Sequence, residues 1–129
     1  MTLSVHHDLA AGRWQQLSLV EQLANIGSEA HRASTAKTLG NEARLAAALD
    51  RLLELFDLTL ADGRWIGRRR ELARAREVAL DFLVGDNLHG SSPQSLDAYF
   101  LPFAVAARAL AHRRNATRAT ALLATSDPE

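Results

Sequence analysis

The sequence predicts an all-α fold, an up-down-up-down antiparallel four-helix bundle. Four stretches repeat apolar residues at spacings of three and four, the pattern of one buried helical face. Their connections are short, which favours antiparallel neighbours, and no stretch alternates apolar with polar residues as a half-buried strand would. The expected helices cover about 18–37, 41–61, 67–84 and 93–112. They divide the chain into an N-terminal arm over 1–17, the bundle over 18–112 and a polar, flexible tail over 113–129.

Each helix has its own signals. The arm lacks periodicity, with Trp14 and Leu17 available to dock it on the bundle. Ser18 is a candidate N-cap, with Glu21 three residues on to complete a capping box. Leu19, Leu23, Ile26, Ala30 and Ala33 then mark one face, and the neighbouring strip of Val20, Ala24 and Gly27 is small enough to admit another helix closely. Gly40 suits a C-terminal cap and Asn41 the next N-cap. Leu45, Leu49, Leu52, Phe56 and Leu60 form the second stripe, widened by Ala48, Leu53 and Leu55.

A turn at Ala61-Asp62-Gly63-Arg64 leads to the third stripe, Leu72, Ala75, Ala79, Phe82 and Leu83. Mirroring the two helices about that turn sets Asp57 opposite Arg69 or Arg70, and Asp50 opposite Arg76 or Glu77. The loop from Gly85 to Ser92 is dense in turn formers, and Pro93 suits the first turn of the last helix. There Leu96, Phe100, Phe103, Ala107 and Leu110 form the inward stripe. Ala98, Leu101, Pro102, Val105 and Ala109 fall on the opposite side, so this helix is apolar all round and needs cover on more than one side. Pro102 removes one backbone hydrogen bond and is expected to kink it.

Composition narrows the class. The 129 residues suit one domain with one core, and 47% apolar against 23% charged residues is the balance of an ordinary folded protein. The uncharged run Ala98–Ala107 is far shorter than the ~20 residues that span a bilayer, so no membrane segment is expected. No secretory leader is visible near Met1, and cysteine is absent, which excludes disulfides and thiolate metal sites and agrees with a cytoplasmic location. Net charge is zero, but residues 1–62 carry five basic and eight acidic side chains while residues 63–129 carry ten and seven. Complementary halves folding on each other explain that division most simply.

No catalytic constellation emerges. A di-iron bundle needs Glu-x-x-His pairs, and none occurs; His6, His7, His31, His89 and His112 are scattered. There is no nucleophile elbow, and the loop from Gly85 to Gly90 lacks the Gly-Lys-Ser/Thr of a phosphate-binding loop. Asp86, Asn87, His89, Ser91 and Ser92 are each ordinary turn or cap residues, so a connecting role is favoured over a loop active site. Neither an enzyme nor a metal or other cofactor is expected. Arg68, Arg69, Arg70 and Arg74 at the start of the third helix, with Arg113 and Arg114 after the fourth, fall at one end of an antiparallel bundle. They are the candidate nucleic-acid-binding residues, beside a Trp65 that either stacks on a base or staples its loop to the core.

The helix order, together with Leu19-Val20-Glu21-Gln22-Leu23-Ala24-Asn25-Ile26-Gly27-Ser28-Glu29, resembles a family of small bacterial four-helix bundles over about Leu17 to Arg114. The family comprises the accessory variability determinant proteins of diversity-generating retroelements and bundles encoded in intervening sequences of large-subunit ribosomal RNA. The resemblance implies a ring-like homo-oligomer, with retroelement members meeting reverse transcriptase and nucleic acid through basic surfaces. This chain departs from that pattern in being neutral overall.

The resulting expectation is a cytoplasmic, non-enzymatic interaction module. It self-associates or binds a partner protein through the outer side of the fourth helix, at Ala98, Leu101, Pro102, Val105 and Ala109. The alternative is a nucleic-acid-binding accessory that uses Arg68, Arg69, Arg70, Arg74, Arg113 and Arg114.

Overall fold

The computed structural model describes residues 12–125, and these form the expected all-helical bundle. A short 3-10 turn at Trp14–Gln16 precedes α1 (Leu19–Thr38) and α2 (Glu42–Ala61). A 3-10 segment, Gly63–Arg68, then leads into α3 (Arg69–Leu83), and α4 runs from Pro93 to Thr125. Helix α1 is the central member, packed chiefly against α2 and α4, while α3 rests mainly on α2. The buried core draws on all four stripes: Leu23, Ile26, Ala30 and Ala33; Leu52 and Phe56; Leu72, Ala75, Ala79, Phe82 and Leu83; Leu96 and Phe100.

Local chemistry sets the helix ends. Ser18 and Glu21 form the reciprocal capping box, and the Asn41 side chain accepts from the backbone N–H of Arg44. Between those helices Gly40 sits at φ 68°, the left-handed conformation that glycine adopts without a Cβ penalty. At the far end of α1, Lys37 donates to the carbonyl of Phe82 and lies 4.4 Å from the centre of its ring, which ties α1 to the end of α3.

Three expectations need correction. The connection between α2 and α3 is longer than the turn at residues 61–64, because the Asp62 side chain caps the backbone N–H of Arg64 and starts the 3-10 segment. That shifts the hairpin register: Asp57 meets Arg76 at 4.0 Å, and Arg69 donates instead to the carbonyl of Leu60. The fourth helix does not stop at 112 but continues to Thr125, so the segment from 113 to there is helical. Its alanine-rich sequence contains no glycine or proline before Pro128, and nothing local interrupts it. Pro102 lies ten residues inside one continuous helix. It leaves the carbonyl of Ala98 without its helical donor on an exposed turn, where water can supply one.

The α1–α4 crossing positions everything that follows. Asp97 meets His31, Phe100 lies over Gly27 and Arg114 reaches Glu21, so the two helices run antiparallel. A Cβ on Gly27 would fall 2.7 Å from the Cβ of Phe100. The small strip expected from the sequence is therefore used here, by α4. Helix α4 then passes the start of α1 and continues about three further turns.

Replacing Gly27 by Ala should push these helices apart and lower stability by about 1–3 kcal/mol despite alanine's better helix propensity. Gly67→Ala meets no atom within 4 Å and should leave the denaturation midpoint unchanged. Chemical denaturation of the two variants checks this contrast.

Candidate functional site

With Phe100 fixed inward, the opposite side of α4 is open. Ala98, Leu101, Pro102, Val105 and Ala109 are all exposed, and Leu101 and Val105 are each 60% exposed. The five residues selected from the sequence thus share one continuous apolar face. Beside them, the half-exposed ring of Tyr99 stands edge-on to Phe100 at 5.0 Å between ring centres. A shallow groove of about 330 Å³ separates this face from α1, lined by Ala24, Gly27, Ser28, His31, Leu101 and Ala104 among others. A second, of about 350 Å³, follows α4 itself along Leu101, Ala104, Val105, Arg108, Ala109 and His112. Ala104 lines both, and sequence reading missed it because an alanine adds little to an amphipathic pattern. Its spacing of three from Leu101 was the available signal.

The arginine clusters do come to one end of the bundle, but a polar clasp occupies much of that end. Gln22 is wholly buried, donates to the Trp14 carbonyl at 3.0 Å and to Asp62 Oδ2 at 3.2 Å, and accepts from the Trp65 indole at 2.9 Å. Trp14 in turn donates its indole N–H to Thr59 Oγ1 at 2.9 Å, which docks the described end of the arm, residues 1–11 of it lying outside the described residues. Arg64 grips the Asp62 carboxylate, donates to the Leu17 carbonyl and lies 4.4 Å from the Trp65 ring centre. Trp65 is thereby a staple, with one face covered by Arg64. Among the nucleic-acid candidates, Arg68 pairs with Glu71, Arg69 with the Leu60 carbonyl and Arg114 with Glu21. Arg70, Arg74 and Arg113 are exposed and form no ion pair among the described residues.

The loop between α3 and α4 is held by its own side chains. Asp81 accepts the backbone N–H groups of Leu88 and His89 and lies 3.0 Å from His89 Nδ1. Those backbone hydrogen bonds, that of His89 first, lower the Asp81 carboxyl below its ordinary range. Asn87, at φ 52°, bridges both backbone groups of Ser91, and Ser92 exchanges hydrogen bonds with Ser95 at the start of α4. The side chains of Asn87, His89 and Ser92 are thus spent on shaping the connection. His31, His89 and His112 stay apart, no group of three metal-ligating side chains occurs among the described residues, and His6 and His7 lie outside them. No helix among the described residues is long and apolar enough to cross a membrane.

Comparison with family models, curated proteins and solved structures yields no match. The outer face of α4 presents Leu101 and Val105 to solvent together with Ala98, Pro102 and Ala109.

The clasp makes a prediction about pH. Hydrogen bonds from the Arg64 side chain, then its backbone N–H and the Gln22 amide, outweigh burial and hold the Asp62 carboxyl at about 2 against an ordinary 3.8. A carboxyl lowered by folding contributes its stability above the unfolded value and loses it as pH falls through the folded one. Thermal unfolding should therefore show stability falling as pH drops from 3.8 towards 2. Asp62→Asn should be less stable at neutral pH and should show a shallower fall over that range.

Proposed function

We propose that this chain is a non-enzymatic interaction module of the cytoplasm that meets a protein partner through the outer face of α4. The observation that carries the reading is the exposure of Leu101 and Val105, each 60%, on the face opposite the buried Phe100. Contiguous apolar surface outside a completed core is costly to leave in water and marks a contact site. Self-assembly would agree with the resemblance to retroelement and ribosomal intervening-sequence bundles, which stays part of the proposal. A nucleic-acid-binding accessory role remains the second reading, supported by Arg70, Arg74 and Arg113. It is weakened by the contacts that already engage Arg68, Arg69 and Arg114. On the favoured reading, no salt-sensitive mobility shift with RNA or DNA is expected, and a shift abolished by Arg70/Arg74/Arg113→Ala would favour the second.

A benzophenone amino acid in place of Val105, irradiated in living cells, should give one discrete cross-linked adduct. Adding Leu101→Glu should abolish it while circular dichroism remains helical, because exposed substitutions away from special features change stability by only about 0.5 kcal/mol. Absence of any adduct, or an adduct indifferent to Leu101→Glu, contradicts the reading.

A further inference from the structure

Asp97, Leu101, Ala104 and Arg108 follow one another at spacings of four, three and four, so they lie along a single edge of the exposed face of α4. Asp97 retains an exposed side chain at 48% although it meets His31, and Arg108 is exposed with no ion pair among the described residues. Leu101, Ala104, Val105 and Arg108, spaced i, i+3, i+4 and i+7, frame the hole into which a neighbouring helix inserts a knob, and they line one shallow groove. Leu101 is itself the knob, projecting beside the small Ala104.

This edge is complementary to itself when reversed. A half-turn about an axis crossing α4 between Pro102 and Phe103 brings Leu101 over Ala104 of another copy and Asp97 over Arg108 at both ends. A parallel arrangement would instead set Asp97 against Asp97 and Arg108 against Arg108. A partner of one charge sign would suit one end and be repelled at the other. The chain's zero net charge adds no overall repulsion between copies.

We propose that the partner of this face is a second copy of the same chain, paired antiparallel through α4 about that twofold axis. The proposal rests on the reading of α4 as a contact surface and names its occupant. Leu101 of each copy sits among Leu101, Ala104, Val105 and Arg108 of the other, and Asp97 faces Arg108 twice. The overlap runs from Pro93 to His112, about 30 Å at 1.5 Å per residue, within the stretch of α4 that meets α1. The remainder of α4, to Thr125, extends beyond the overlap.

Light scattering of the full chain over a concentration series, combined with charge reversal, tests this arrangement. The unmodified protein should be a dimer. Arg108→Asp and Asp97→Arg each turn two attractive pairs into two repulsive ones and should raise the dissociation constant at least roughly tenfold. The double variant should return close to the original value, and His31→Ala should dimerise normally, which controls for the lost His31 contact. Circular dichroism confirms that each variant is folded. A dimer sensitive to Leu101→Glu but without charge-swap recovery overturns the antiparallel seam and leaves the contact-surface reading standing. A strict monomer at several hundred micromolar overturns the second copy as partner. In that event the Val105 cross-link decides the broader reading, since an adduct of another mass preserves it and no adduct removes it.

Discussion

The structure depends on the contact between Gly27 and Phe100. A missing side chain on α1 lets Phe100 of α4 approach so closely that a Cβ at residue 27 would fall 2.7 Å from the Phe100 Cβ and 3.0 Å from its ring. That contact fixes the rotation of α4 about its own axis. A helix apolar on all sides has no intrinsic preference for which side it buries. Once Phe100 and Leu96 are inside, Ala98, Leu101 and Val105 are outside. The candidate surface is thus a consequence of core packing and needs no separate origin.

At the start of α1 a second constraint works through hydrogen bonds. Gln22 joins the Trp14 backbone, the Asp62 carboxylate and the Trp65 indole, so one buried amide links the N-terminal turn, α1 and the connection into α3. Buried polar groups are stable only when satisfied, and here every end of the Gln22 amide has a partner. The same clasp draws Arg64 into the structure, while Glu71, Glu21 and the Leu60 carbonyl engage other arginines. The basic excess of the second half of the chain is therefore much less available to ligands than its composition suggests. Exposed pairs of this kind add little stability, about 0–1 kcal/mol each, but they dispose of charge.

The four stripes, the Ser18–Glu21 capping box and the docking of Trp14 were legible because each rests on a local or periodic rule. The open face of α4 was legible for the same reason, as an apolar remainder once the inward stripe was assigned. The Gln22 clasp was not, since a glutamine beside a core stripe looks like any surface residue until distant partners converge on it. The hairpin register was misread because the 3-10 segment from Gly63 to Arg68 lengthens a connection that sequence marks only by its turn residues. The extent of α4 to Thr125 is harder to read, because polar composition suggests a flexible tail whereas alanine content and the lack of breakers sustain the helix. The relation between Asp97 and Arg108 required knowing which side of α4 faces out.

Because the chain contains no cysteine, single cysteines at Gln94, Ala109 and Ala116 can each carry one nitroxide label without interference. Dipolar spectroscopy then measures the separation between copies most directly. An antiparallel pair centred between Pro102 and Phe103 makes that separation grow by about 3 Å for each residue's displacement from the axis, twice the helical rise. The account predicts distances increasing in the order Ala109, Gln94, Ala116. Equal distances at the three positions, or no distance between copies, would contradict it.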